Sequence, residues 1–139
     1  MQVDLSGQVA LVTGAARGLG RAISLALAEA GADVALGLRV GGDAQDLASE
    51  IEAMGRRALR VQMDLLDLGQ IGRAVEEVRA TFGRIDILVN NAGIGLKQHF
   101  VGGDLDAEQT MLDLLVTAPM RLTHAAVGPM VERGRGSII

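Results

Sequence analysis

Short apolar runs alternate with longer amphipathic stretches along this chain. Val9–Val12 is apolar at every position and reads as a first, fully buried strand. Leu19, Ile23, Ala26, Leu27 and Ala30 then recur at helical spacing, and Gly31 closes that helix. Val34–Leu38 is a second strand. After the Gly41-Gly42 turn, Leu47, Ile51 and Met54 mark a second helix that ends at Gly55. Ala58–Met63 is mixed in polarity, the character of a third strand at a sheet edge. Asp67 as N-cap, with Gln70 as its partner, introduces a third helix carrying Leu68, Ile71, Val75, Val78 and Phe82. Gly83 ends it, and Ile85–Val89 is a fourth strand. Asp106 and Gln109 repeat the cap signature before a long, largely apolar helix from Ala107 to Val131. Pro119 and Pro129 are expected to bend or interrupt it. Ser137-Ile138-Ile139 reads as the opening of a fifth strand.

Strands alternating with helices of this length imply right-handed crossovers and a parallel sheet covered on both faces. The expected fold is an α/β doubly wound sheet of five strands, ordered 3-2-1-4-5 by analogy with such folds. Residues 1–139 read as one domain, without internal repeat or linker. Hydrophobic residues make up 49% of the chain and mean hydropathy is +0.31, enough for a packed core. A net charge of −4 argues against nucleic acid, which calls for a basic face. There is no cysteine, hence no disulfide or thiolate chemistry, in keeping with a reducing cytoplasm. No basic stretch leads into a long apolar one at the N-terminus, and no uncharged run approaches the roughly 18 residues of a membrane helix.

Chemistry enters at Thr13-Gly14-Ala15-Ala16-Arg17-Gly18-Leu19-Gly20, between the first strand and the first helix. A strand feeding a glycine-rich turn that opens a helix is a device for holding a pyrophosphate. Unpaired N–H groups point outward there, and the helix dipole favours negative charge. Gly14-x3-Gly18-x-Gly20 differs from the common G-x-G-x-x-G spacing, but its placement between strand and helix sets it apart from an ordinary tight turn.

With this loop, Asp64-Leu65 after the third strand and Asn90-Asn91-Ala92-Gly93 after the fourth, the chain resembles the short-chain dehydrogenase/reductase family. The resemblance spans all of these residues and about the N-terminal half of a typical member. It implies that Gly14, Gly18, Leu19 and Gly20 lie against the pyrophosphate and adenosine ribose of a nicotinamide dinucleotide. Asp64 would accept from the adenine amino group, with the Leu65 backbone beside it. Asn90, Ala92 and Gly93 would line the ribose and nicotinamide side, Asn90 also bracing the central strands. Against this stand blander roles, a helix cap or turn for Asp64 and turn chemistry for Asn90-Asn91.

Cofactor preference is read from the end of the second strand, where an acidic residue ordinarily bonds the NAD ribose. Leu38 holds that place and Arg39 follows. Arg17 is a second nearby cation, and a guanidinium clasps a phosphate with two parallel hydrogen bonds. NADP is therefore expected over NAD, with Asp43 the competing acidic candidate and solvation the alternative for Arg39.

In the family, a Tyr serves as acid/base, a Lys lowers its pKa and a Ser holds the substrate oxygen, all beyond the fifth strand. This chain has no tyrosine, and Ser137 lies too early for the family serine. Leu115 stands where the family has an Asn that supports a water relay, and an aliphatic side chain relays no proton. Two readings follow. The first is the cofactor-holding part of an NADP-dependent oxidoreductase for a carbonyl/alcohol pair, inactive by itself, with a small-molecule substrate only in a longer form. The second is a stand-alone nucleotide-binding or assembly module without turnover.

His99 and His124 are isolated, so a metal site is not expected. Lys97 and His99, Arg133 and Arg135 read as loop residues. Arg56, Arg57 and Arg60 read as a solvated cluster at a helix end. Met54, Met63, Met111, Met120 and Met130 read as core packing. The Ala107–Val131 helix is apolar on several sides and is expected to be buried on several sides. The family uses this helix between subunits, so a homo-oligomer is expected through it or through exposed strand edges.

Overall fold

The computed structural model describes residues 2–139. The strands are β1 (Val9–Thr13), β2 (Asp33–Leu38), β3 (Ala58–Gln62), β4 (Ile87–Val89) and β5 (Ser137–Ile138). Between them run α1 (Gly18–Glu29), α2 (Gln45–Ala53), α3 (Leu68–Phe82), α4 (Leu105–Leu112) and α5 (Ala118–Arg133). All strand pairs are parallel, in the order β3-β2-β1-β4-β5, so the doubly wound sheet expected from the pattern is present with β3 at one edge.

Alternation along β1 divides the core. Val9 and Leu11 face one side, where Ile71, Val75, Val78 and Phe82 of α3 and Leu122, Ala126 and Met130 of α5 cover them. Ala10 and Val12 face the other, against Ala28 of α1 and Leu47, Ala48 and Ile51 of α2. A strand buried on both faces must be apolar at both parities, which is why β1 and β2 read as continuous runs.

Asp86 is buried at the sheet's far end, just before β4. Its carboxylate accepts from the Val9 N–H and from the Arg84 guanidinium, and Arg133 lies 3.6 Å away. Arg133 also donates to the Ile85 carbonyl, so the last residue of α5 locks that helix to β4. The expectation of a loop role for Arg133 is thereby corrected.

The long helical segment departs from its expected form. It is capped by Asp104, whose carboxylate accepts from the N–H groups of Asp106 and Ala107; Asp106 lies within the first turn. Gln109 turns instead to Asp113. Between α4 and α5, residues Asp113–Thr117 form a π turn in which the Ala118 N–H reaches back to the Asp113 carbonyl. Pro119 explains it: proline gives no N–H to the Leu115 carbonyl and its ring crowds that oxygen, so the turn widens. Pro129, by contrast, does not interrupt α5, which runs on to Arg133. Met63 and Met130 are core residues, whereas Met54 and Met120 are exposed. Among the described residues, no helix is long and apolar enough to cross a membrane.

Candidate functional site

The carboxyl ends of β1, β2, β3 and β4 converge on one cleft of about 550 Å³. In doubly wound sheets the crevice beyond these ends, where the strand order reverses, is where ligands lie. Gly14, Arg17, Arg39, Asp64, Leu65, Ala92 and Gly93 all line it. Leu66, Ile94, Thr110 and Leu114 line it too without having stood out in the sequence, as do Met63, read there as core packing, and Asn91, read there as part of a turn. Gly18, Leu19, Gly20, Asn90 and the acidic candidate Asp43 are not on its wall.

The glycine loop is built by close approach and by backbone hand. Gly14 and Gly18 have φ of +60° and +58°, a region that side chains disfavour. A Cβ at Gly20 would lie 2.2 Å from the Gly14 carbonyl oxygen, so only glycine lets α1 start directly beneath the loop. Helix α1 begins without a side-chain cap: Arg17 occupies the N-cap and its side chain bonds no first-turn N–H. Helices α3 and α4, in contrast, are closed by Asp67 and Asp104. The first-turn donors of α1 are thus left for something outside the helix.

Thr13 and Asn91 tie β1 to β4 at the cleft floor. The Thr13 hydroxyl accepts from the N–H groups of Asn91 (2.9 Å) and Ala92 (3.0 Å). The Asn91 side-chain amide donates to the Thr13 carbonyl at 3.1 Å and to the Gly14 carbonyl at 3.3 Å. The bracing expected of Asn90 is therefore made by Asn91; the Asn90 N–H goes to the Ile139 carbonyl, on the β5 side. A buried hydroxyl at the end of β1 needs partners, and that was the available signal.

On the opposite flank, Asp64 forms an Asx turn in which one carboxylate oxygen accepts from the Leu66 N–H at 3.1 Å. Among the described residues nothing bonds its second oxygen, and the Asp64 N–H is held by the Gln70 side chain. Arg17 and Arg39 are exposed and, among the described residues, form no ion pair, unlike Arg21, Arg57 and Arg84. Two cations with open guanidinium groups thus border a cleft that also presents free helix N–H groups nearby.

At the other end of the cleft the Leu115 side chain packs over Gly93, where an added Cβ would sit 2.8 Å from Leu115 Cδ2. Leu115 belongs to the π turn and offers no polar atom there. Lys97, His99 and His124 lie away from the cleft wall, and no cluster of metal-ligating side chains occurs among the described residues. The basic cluster is not simply solvated. Arg57 pairs with Asp33 and stacks 4.6 Å from the Phe82 ring, Arg56 bonds the Gly31 carbonyl, and Arg60 bonds those of Gly42 and Asp43.

Comparison with known proteins agrees with this geometry. The family model described as short chain dehydrogenase matches residues 8–139. A 2-dehydro-3-deoxy-D-gluconate 5-dehydrogenase from Pseudoalteromonas atlantica is 38% identical over 137 residues, covering 98% of this chain and 54% of that protein. The crystal structure of L-sorbose reductase from Gluconobacter frateurii, complexed with NADPH and L-sorbose, superposes with a TM-score of 0.93 at 37% identity, over 99% of this chain and 53% of that one. A metagenomic short-chain oxidoreductase in complex with NADP gives 0.91 at 36% identity, over 96% and 61%. The chain spans about half the length of the curated relatives it matches. By sequence, by sheet order and by the build of its cleft, this chain belongs to the short chain dehydrogenase family.

Proposed function

We propose that these residues hold NADP for an oxidoreductase that interconverts a carbonyl and an alcohol. The observation that carries this reading is the uncapped start of α1 in a glycine loop, beside a cleft bordered by Arg17 and Arg39, which form no ion pair among the described residues. The fit is chemical as well as spatial. Helix N–H groups suit a diphosphate, a guanidinium suits the 2′-phosphate, and an Asp64 oxygen is free to accept from an adenine amino group. Gly18, Leu19 and Gly20 act through the helix start, while Ala92 and Gly93 keep the floor flat for the nicotinamide end. When bound, NADP supplies or accepts the hydride.

Within residues 1–139 no tyrosine is available to move a proton, and Leu115 replaces a polar relay with an apolar contact. The polypeptide of these residues accordingly binds cofactor without turnover. Leu115 also favours a second reading, a nucleotide-binding or assembly module that does no chemistry. Intact mass of the protein isolated from its source separates the two. A mass near 14.5 kDa supports the module, whereas a heavier protein that oxidises NADPH with ketones or aldehydes supports the enzyme. A homo-oligomer through α4 and α5 and a reducing, cytoplasmic setting complete the proposal.

Calorimetric titration tests the cofactor assignment: NADPH should bind more tightly than NADH. Arg39→Ala should shrink the ratio by about tenfold, the worth of one charge-assisted hydrogen bond to phosphate. Flat traces on folded protein, or a ratio indifferent to Arg39, would remove the assignment.

A further inference from the structure

We propose that Gln62 is a positioning residue that sets dinucleotide selectivity by clamping the loop on which Arg39 stands; this rests on the NADP reading above. Strand β3 pairs with β2 at the sheet edge, with Arg60 opposite Leu36 and Gln62 opposite Leu38. Arg60 and Gln62 are two apart on the strand, so their side chains leave the same face. Both reach the loop that follows β2. The Gln62 amide nitrogen donates to the Arg39 carbonyl at 2.7 Å, while its oxygen accepts from the Gly41 N–H. Arg60 continues the seam, donating to the carbonyls of Gly42 (2.9 Å) and Asp43 (3.4 Å).

Within the loop the Asp43 N–H donates to the Val40 carbonyl at 3.0 Å, and the remaining bonds come from β3. The loop ends at Ala44 with φ of +61°, a left-handed conformation that costs a non-glycine residue free energy and persists where surrounding contacts over-determine it. The amide orientation is fixed by its partners, because an N–H only donates and a carbonyl only accepts. The same Gln62 nitrogen reaches the Gln70 side-chain oxygen at 3.2 Å, and that oxygen receives the Asp64 N–H at 2.8 Å. One pair of glutamines thus joins the loop carrying Arg39 to the segment carrying Asp64. A loop held in place before the ligand arrives leaves less ordering to be done on binding. The benefit falls on the phosphate that Arg39 meets, which NADP has and NAD lacks.

Gln62→Met keeps length and neutrality while removing the bonds that the Gln62 amide makes to Arg39, Gly41 and Gln70, and leaves those of Arg60 in place. NADPH affinity should fall about fivefold, as expected for a lost positioning hydrogen bond, with NADH affinity nearly unchanged. In an Arg39→Ala background the same substitution should leave the NADPH-to-NADH ratio where Arg39→Ala put it, since the effect acts through Arg39. A merely structural role would lower the melting temperature and leave the ratio alone. Hydrogen exchange on the unmodified protein decides the matter should Gln62→Met fail to fold. The Gly41 amide should exchange more slowly than that of Gly42, which has no acceptor among the described residues. Equal exchange at the two amides, or a folded Gln62→Met protein that keeps its full preference for NADPH, overturns the clamp while leaving the cofactor assignment standing. An unmodified protein that does not prefer NADPH overturns both.

Discussion

Gly18 and Gly20 stand two residues apart in one motif, yet different constraints hold them. Gly18 has a positive φ and open space where a Cβ would go; Gly20 faces the Gly14 carbonyl and the Asn91 amide at clashing distance. Gly18→Ala should therefore cost about 1 kcal/mol of backbone strain and leave the loop in place. Gly20→Ala forces α1 away from β1 and should cost about 2–3 kcal/mol, the scale of overpacking, with NADPH binding lost. Urea denaturation beside a cofactor titration checks the pair, and equal costs at the two positions would contradict the geometry. At this scale much of the lining of the candidate cleft was legible, because glycines and arginines announce themselves by type. What misled was the pair Asn90-Asn91. Two identical residues in succession carry no local sign of which faces Thr13, and only the seating of β4 beside β1 puts Asn91 there.

Among the elements, the union of β1, β4 and α5 around Asp86 has the clearest electrostatic consequence. Burial pushes the Asp86 carboxyl up, but hydrogen bonds from Arg84 and the Val9 N–H, with the charges of Arg84 and Arg133, outweigh it and hold the group below its ordinary range. A folded value below the unfolded one stabilises the protein above about pH 4 and is lost as pH falls through the folded value. Asp86→Asn should lower stability at neutral pH by about 2–3 kcal/mol, since it takes the counter-charge from Arg84 and Arg133. It should also flatten the fall of stability with acid, and an acid limb of unaltered slope would dissociate Asp86 from it. Element boundaries show where local signals suffice. Asp67 was correctly placed as a cap, because it stands alone before an amphipathic run. Near α4, Asp104 and Asp106 compete for the same role, and the choice follows from the path of the preceding loop rather than from residue type.

For the whole molecule, the outer surface of α4, the π turn and α5 exposes Leu105, Leu112, Val116 and Met120. The homo-oligomer proposed above would cover this apolar face, which the fold of these residues leaves exposed. Met120→Glu should move the protein toward monomer in light scattering while NADPH affinity in the dilute limit stays the same. A sample already monomeric at high concentration would dismiss this surface as an interface.

Hydrophobic periodicity alone determined the succession of strands and helices and the parallel sheet, since burial on two faces or one stripe imposes its repeat on neighbouring residues. The glycine loop was likewise recognisable locally, from its residue types within eight positions, although Ala92 and Asn91 from across the sheet share in crowding Gly14 and Gly20. Tertiary structure decided what depends on residues distant in sequence: that Asn91 and not Asn90 braces β1, that Arg133 seals Asp86, and that Arg60 and Gln62 hold the loop bearing Arg39. Hydrogen-bonding groups carry no periodic signature of their partners. Which donor meets which acceptor is settled only when the sheet brings their strands side by side.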